Sequence, residues 1–539
     1  MRMTNKILQK NSLYNLNQNK LLEDRLTNQM TNQSKIARPS DDPVVAIRAL
    51  RLRTNVTYVT QYYEKNAKDA DNWLSVTADA IATIDKILKD LYEKAESAAN
   101  KDLTADDLEI LLTQMKSLTK EFYASGNVDY AGRYVFSGYR TDTAITFSSE
   151  DIAEMGRHPV SYKIKEKLGF ADIDSFDYTD FSILTQNLTG DGIRPDGTSY
   201  EQDVTNTKMY RLRLAYDGVD ATDKDGNLRL SLKMKNSAGK EIDLTKEVKK
   251  DENGDPILDA PGGDPIPNFK EYANAEEAYQ AIANGDIDIA YIPSTGEIVF
   301  SESYYQDNFS KGDSFEIEYD KSDWQEGDIN PVHYFECTET KDIGDGETKQ
   351  TVYNRNGVTT LPQDIYYDVG FNQKIQVNTL ASEIFTHNVQ RDMDDFQRCL
   401  MQLRGIETEI SDIEKKMADY PEDSDEYKNL VKKKEAAEKA QTYIRESIHN
   451  QFENQITKYQ DYLNDNNVAG TNNSSRGSRL ELISNRLMNQ QATFKELQTD
   501  NESIDVTQVA VELSSSELIY QAALMATGKI MQTNLMNYI

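Results

Sequence analysis

From Leu52 the apolar or small positions run Leu52, Val56, Val59, Tyr63, Asn66, Ala70, Trp73, Thr77, Ala80, Ile84, Ile87 and Leu91, alternating steps of four and three without a slip. Such a run is a heptad seam, and a seam needs a partner helix beside it. Pro43 suits a first helical turn, and nothing breaks the pattern before Asn100-Lys101-Asp102. The spacing therefore predicts one helix of about 57 residues, roughly 85 Å long at 1.5 Å per residue. No compact domain needs a helix of that length, so a rod is expected, with Trp73, Ile84 and Ile87 in its seam. Thr104 followed by Asp107 reads as a capping box. Leu108, Leu111, Met115, Leu118 and Phe122 continue the spacing to Gly126, which predicts a second helix folding back along the first.

Both chain ends extend this pattern. Near the C-terminus it returns at Leu480, Ile483, Leu487, Gln490, Phe494, Leu497, Asn501 and Ile504, placing Phe494 in the same rod seam. Asp505 begins a stutter, after which a more apolar stretch carries Leu518, Leu524, Ile530 and Leu535 as the seam of a last helix. At the N-terminus Ile7, Tyr14 and Leu21 lie at sevens and Leu22, Leu26 and Met30 at fours, until Arg38-Pro39-Ser40-Asp41-Asp42-Pro43 breaks the helix. An amphipathic helix cannot bury its own stripe, so the ends must cover each other or be covered by copies of the molecule.

The middle of the chain has a different period. Tyr210 to Tyr216, Leu228 to Met234 and Gly296 to Phe300 alternate as strands, with turn signals at Asp225-Gly226-Asn227 and Pro261-Gly262-Gly263-Asp264 and one short helix near Ala273 to Ala283. Helix resumes near Ser382, turns at Tyr420-Pro421-Glu422-Asp423, and pairs back from about Glu426 to Leu463. The glycine- and asparagine-rich Gly470 to Gly477 reads as a flexible joint. The expected fold class is mainly α with a β-rich insertion: a long coiled-coil rod built from both termini, a central β domain and an additional helical hairpin. The expected domains are 1–37 and 506–539, forming one terminal coiled coil; 38–140, the rod helices; 141–377, the β-rich outer domain; 378–470, the helical arms; and 471–505, the C-terminal rod helix.

Composition removes several function classes. A formal net charge of −31 over 539 residues disfavours a nucleic-acid partner and an anionic membrane surface. No apolar run approaches the 18 or so residues of a bilayer-spanning helix, and the first residues lack the apolar core of a cleaved secretory signal. The four histidines, His158, His333, His387 and His449, stand in no catalytic motif, so neither enzyme nor cofactor is expected. His333 and Cys337 lie four apart without a second ligand pair, and strand packing accounts for them better than zinc. Asp223-Lys224-Asp225-Gly226 lacks the first ligand and the bidentate glutamate of a calcium loop, and reads as a polar hairpin turn.

Arg38 to Arg53, followed by Ala70-Asp71-Asn72-Trp73-Leu74, resembles the N-terminal signature of flagellar hook-filament junction proteins of the bacterial flagellin family. The resemblance continues through Asn127 to Tyr139, then Ser478-Arg479-Leu480, Asn485-Arg486-Leu487, Gln521 to Ala526, Lys529 to Gln532 and the terminal Asn537-Tyr538-Ile539. It covers about the first 147 and last 61 residues, with Tyr367 to Gly370 as a weaker anchor between them. Filament flagellin is the near neighbour, but Pro39 and Pro43 and the Lys-Ile-Met-Gln ending look more like the junction group.

The resemblance implies a structural, non-enzymatic adaptor of the bacterial flagellum. Such a protein is exported by the flagellar type III route without a cleaved signal and is extracellular. The implied partners are copies of itself in a ring, the preceding hook-associated protein, flagellin and a flagellar export chaperone. Arg38, Pro39, Ser40, Asp41, Asp42 and Pro43, with Leu518, Leu524, Ile530 and Leu535, are the expected assembly interface, although a helix cap alone explains Asp41 or Asp42 before Pro43. Asp90 and Tyr92 stand where many flagellins place arginines read by innate immune receptors. Two other readings are a filament subunit and a β domain acting as a surface adhesin.

Overall fold

A computed structural model describes residues 5–100, 103–181, 184, 204–222, 228–250, 256–258, 263–344, 347–354 and 363–532, with the side chains of 5 and 530–532 left out. The readings at 223–227, at Pro261-Gly262 and at Leu535, and the side chain of Ile530, lie outside the described residues. The chain opens with α1 (Asn5–Asn32), α2 (Pro43–Thr60), α3 (Lys68–Ala98) and α4 (Ala105–Ala124), and a π-helical stretch, Gln61–Ala67, joins α2 to α3. Strands β1 (Asp129–Tyr130) and β2 (Arg133–Tyr134) and helix α5 (Ser149–Arg157) lead into β3 (Val160–Gly169), β4 (Ile173–Asp180), β5 (Thr205–Arg213), β6 (Ser231–Lys235), β7 (Glu241–Asp243) and β8 (Phe269–Glu271). Then come α6 (Ala275–Ala283), β9 (Ile289–Ile292), β10 (Glu297–Ser301), α7 (Glu302–Asn308), β11 (Ser314–Lys321), β12 (Glu336–Gly344), β13 (Glu347–Tyr353) and the hairpin β14 (Tyr366–Gly370) and β15 (Gln373–Gln376). Helix returns as α8 (Asn388–Met417), α9 (Asp425–Glu502) and α10 (Val506–Gln532). The chain is mainly α with a β-rich insertion.

Contacts divide the chain into two units, one of Met1–Asp71, Tyr366–Gln376 and Arg476–Ile539, the other of Asn72–Ile365 and Val377–Ser475. In the first, Asp42 caps α2 by accepting from the Val44 and Val45 amides at 2.9 and 3.2 Å, with Pro43 at the first helical position. The π stretch is braced by the β14–β15 hairpin, whose Asp368 carbonyl accepts from Asn66 Nδ2 at 2.7 Å, while Tyr367 bonds Asp69. All twelve seam positions from Leu52 to Leu91 are buried or half-buried, so the heptad reading survives the π interruption.

In the second unit, described residues of the insertion form a five-stranded sheet, β4-β5-β10-β9-β8, and a six-stranded sheet, β13-β12-β3-β11-β6-β7. Every pairing is antiparallel except β8 with β9. Helix α6 lays Ala278, Tyr279 and Ile282 on the first sheet, where they pack with Met209, Ile292 and Val299. The Thr104–Asp107 capping box forms as read.

The flexible joint expected at Gly470 to Gly477 does not exist: these residues lie inside α9. Asn466 and Asn473 donate to the Ile81 and Leu74 carbonyls of α3 at 3.2 and 2.9 Å. A Cβ on Gly470 would meet Ile81 Cγ2 at 3.2 Å. Small and amide side chains here allow a close helix approach instead of a turn. The C-terminal seam also departs from its reading beyond Leu487. Gln491, not Gln490, turns inward, donating to Thr60 Oγ1 and Glu64 Oε1 at 2.8 Å each, and Leu497 is exposed. Asp505 is a helix cap and not a stutter, since it accepts from the Thr507 and Gln508 amides at 2.9 and 3.1 Å.

Candidate assembly surface

The first unit brings the two chain ends together. Ser34 and Ser503 form an antiparallel bridge, with Lys35 N donating to Glu502 O at 2.8 Å and Ile504 N to Gln33 O at 3.4 Å. From this junction α1 and α10 pack along each other antiparallel. Arg53 holds Glu502 beside the junction through two bonds, Nε to Oε1 at 2.8 Å and a second from its terminal nitrogen at 2.6 Å.

The least exposed positions of α10 include Val509, Leu513, Ser516, Tyr520, Ala523 and Thr527, spaced by fours and threes, and those of α1 include Ser12, Leu16, Asn19, Glu23, Leu26 and Met30. This is the seam, and it differs from the expected one. Leu518 and Leu524 are 67% and 45% exposed and lie outside it. The expected seam took only large apolar residues, whereas the observed one mixes Val509, Leu513 and Tyr520 with the small Ser516, Ala523 and Thr527. The signal was present in the spacing of Ser516, Ala523 and Thr527, masked by their weak hydrophobicity.

The pair thus keeps large apolar residues on its outside. Ile7, Tyr14 and Leu21 on α1, and Val511, Leu518 and Met525 on α10, each recur at sevens and are between 48% and 67% exposed. A seven-residue interval brings side chains back to one helix face with about 20° of drift, so each trio is a stripe. In the same unit, α2, which follows the Arg38 to Asp42 turn, leaves Val44, Ile47 and Leu50 exposed. Arg38, Pro39, Ser40, Asp41 and Pro43 are exposed and Asp42 is half-buried. Asp41 Oδ2 accepts from the Ala37 and Arg38 amides at 3.1 and 2.8 Å, so the turn satisfies its own polar groups.

Of the expected rod-seam residues, Trp73, Ile84 and Ile87 are buried in the second unit, and Phe494 is half-buried in the first. The Arg133 guanidinium covers Trp73 at 4.8 Å from its ring.

The second unit holds a buried ionic cluster that sequence reading missed. Arg211 and Arg213 alternate on β5. Arg211 bonds Glu297 at 2.8 Å and Asp395 of α8, Arg213 reaches Asp392 at 2.7 Å and Asp395 at 2.8 Å, and Arg398 bonds Glu297 at 2.7 Å and Asp395. Burial pushes the Asp395 and Glu297 carboxyls up, but the surrounding arginines outweigh it and hold both below the usual range. The available signal was Tyr210-Arg211-Leu212-Arg213-Leu214, where strand alternation sends two arginines to one face.

His333 is buried with Nε2 bonded to the Ala144 carbonyl at 3.0 Å, and Cys337 is buried in β12, where desolvation pushes its thiol up to about 12. Among the described residues there is no group of three or more His, Cys, Asp or Glu that could hold a metal, and no helix long and apolar enough to cross a membrane.

Residues 3–141 match the family model of the bacterial flagellin N-terminal helical region. Flagellar hook-associated protein 3 of Escherichia coli K12 is 27% identical over 174 residues, 32% of this chain and 53% of that protein. The protein of the same name from Salmonella typhimurium LT2 is 25% identical over 181 residues, 33% of this chain and 56% of that protein. The chain therefore spans about half the length of the curated relatives it matches. The crystal structure of Xanthomonas campestris FlgL aligns with 82% of this chain and 98% of its own at 10% identity and a TM-score of 0.29. Residues 3–141 are similar to the N-terminal helical region of the bacterial flagellins, and about a third of the chain is similar to flagellar hook-associated protein 3.

Proposed function

We propose that this chain is a structural, non-catalytic adaptor of the bacterial flagellum that joins the hook-associated zone to the flagellin filament. The observation that carries the reading is the paired terminal helices of a flagellin-type chain, bearing apolar stripes at sevens on their uncovered faces. Exposed large apolar side chains at a helical repeat are what a helix pair needs if further helices are to pack around it. In this reading copies of the chain form a ring through Leu518, Leu524 and their neighbours on α10, with the Arg38 to Pro43 turn at the edge of the contact. The preceding hook-associated protein lies on one side and flagellin on the other. The protein reaches the cell exterior through the flagellar export channel, with an export chaperone guarding the apolar ends beforehand. That both curated relatives are hook-associated proteins favours the junction over a filament subunit.

A cell whose only copy ends before Ser514 tests this. It should build hooks and shed flagellin into the medium, while the truncated protein keeps a folded second unit. Normal filaments, with the truncated protein found at the junction by microscopy, would overturn the assignment.

A further inference from the structure

A stripe on α10 that joins copies of the chain needs a surface to pack on, and α2 of the same unit presents one. Helix α2 buries Ala46, Ala49 and Val59 and leaves Val44, Ile47, Leu50 and Tyr58 between 54% and 63% exposed. At 3.6 residues per turn Val44, Ile47 and Tyr58 fall within about 60° of one another, with Leu50 at their edge, so the exposed residues make one stripe. Its length matches the stripe of Val511, Leu518 and Met525. Val44 to Tyr58 and Val511 to Met525 each run over about 14 residues, roughly 21 Å at 1.5 Å per residue.

Charge selects the partner. The chain carries −31, so two copies repel unless their contact sets opposite charges against each other. Helix α2 is locally cationic, with Arg48, Arg51 and Arg53 and no Asp or Glu. Arg53 is held by Glu502, whereas Arg48 and Arg51 are exposed, Arg51 within the α2 stripe and Arg48 at its border. The α10 stripe is flanked on its two sides by exposed Glu512 and Glu517, and no Lys or Arg precedes Lys529 in that helix. The outer stripe of α1 fits less well, because exposed Asp24, one turn from Leu21, adds a like charge beside those glutamates. We propose that the exposed face of α2 seats the outer stripe of α10 from a second copy of this chain. Each copy then offers α2 to one neighbour and α10 to the other, a heterologous contact of the kind that closes rings. This rests on the assembly of copies proposed above and names the surface that receives α10.

Cysteine pairs in the full chain, expressed as a cell's only copy, test the contact in isolated flagella. Thr54→Cys is combined with Ser515→Cys or with Gln521→Cys, all exposed positions just beyond the stripe centres, one pair for each relative direction of the two helices. Oxidation should link copies into a ladder on a denaturing gel with one of the two pairs. Wild type, whose Cys337 is buried and Cys399 half-buried, should give none. No ladder from either pair overturns the proposal, as does a ladder obtained only when Asn17→Cys of α1 replaces Thr54→Cys. Charge reversal gives a second readout. Arg48→Glu with Arg51→Glu should leave monomer melting in place but let filaments shear off more easily, and adding Glu512→Lys with Glu517→Lys in the same chain should restore them. Unchanged shear resistance in the arginine variant, or no restoration in the fourfold one, overturns the pairing of these two faces. The adaptor role itself fails on a different result, normal filaments on cells whose copy ends before Ser514.

Discussion

Glu166 of β3 shows how burial alone sets a residue's chemistry. It accepts from the Ala215 amide at 3.2 Å and the Tyr319 hydroxyl at 3.1 Å, yet desolvation outweighs both bonds and raises its carboxyl from 4.5 to about 7. The folded protein therefore keeps a proton that the unfolded chain releases between these values. Stability from this group is fully present below pH 4.5 and is lost as pH rises through about 7, by up to about 3 kcal/mol at 1.36 kcal/mol per unit. Glu166→Gln removes the titration, so the difference between variant and wild type in urea melts should grow in the variant's favour from pH 4.5 to 8; parallel pH curves would show the carboxyl is not buried. Asp395 has the opposite sign, because its arginines keep it ionised. Removing it in Asp395→Ala leaves Arg211, Arg213 and Arg398 short of a counterion and should cost about 3–5 kcal/mol in thermal or denaturant melts. A loss no larger than that of an exposed ion pair would mean that water reaches the cluster.

At the scale of elements, α9 tests whether glycine inside a long helix marks a joint or a contact. A Cβ at Gly477 meets nothing within 4 Å, so Gly477→Ala should stabilise by about 0.5–1 kcal/mol through helix propensity. Gly470→Ala should gain less, since its Cβ presses on Ile81 Cγ2 at 3.2 Å. Equal gains in melting experiments would mean that α9 and α3 are not close there. What the sequence made legible follows the same division. Strong periodic signals translated directly: the Leu52 to Leu91 seam, the Thr104 capping box and the strands around 210, 231 and 297 all form. Weak or ambiguous ones did not. Gly470 and Asn473 are turn residues by propensity, and only the nearness of α3 turns them into packing residues. Leu497 and Leu518 look like seam by hydrophobicity, and only the helix pairing shows Gln491, Ser516 and Ala523 in their stead. The Arg211–Asp395 cluster joins residues 184 positions apart, which no local pattern encodes.

For the whole molecule, the proposed adaptor role assigns folding to the inner face of the terminal helix pair and assembly to its outer face. Its inner seam combines Val509, Leu513, Tyr520 and Leu26 with the small Ser516, Ala523 and Thr527, and each apolar Å² it covers contributes about 25 cal/mol. Further apolar surface lies outside, in the stripes of Ile7, Tyr14 and Leu21 and of Val511, Leu518 and Met525. A substitution on either face should therefore give a distinct result. Ala523→Asp places a charge in the seam and should loosen α1 and α10 already in the monomer, seen as faster amide exchange at both ends. Leu518→Asp with Met525→Asp places two charges on an exposed stripe, where they remain hydrated, so monomer melting and exchange should match wild type. In a cell, however, the double variant should be exported and should fail to retain filament, because covering those carboxylates with a neighbouring helix costs more than the contact returns. Filaments of normal number and length on cells carrying the double variant would show that the stripe is not the surface through which subunits join.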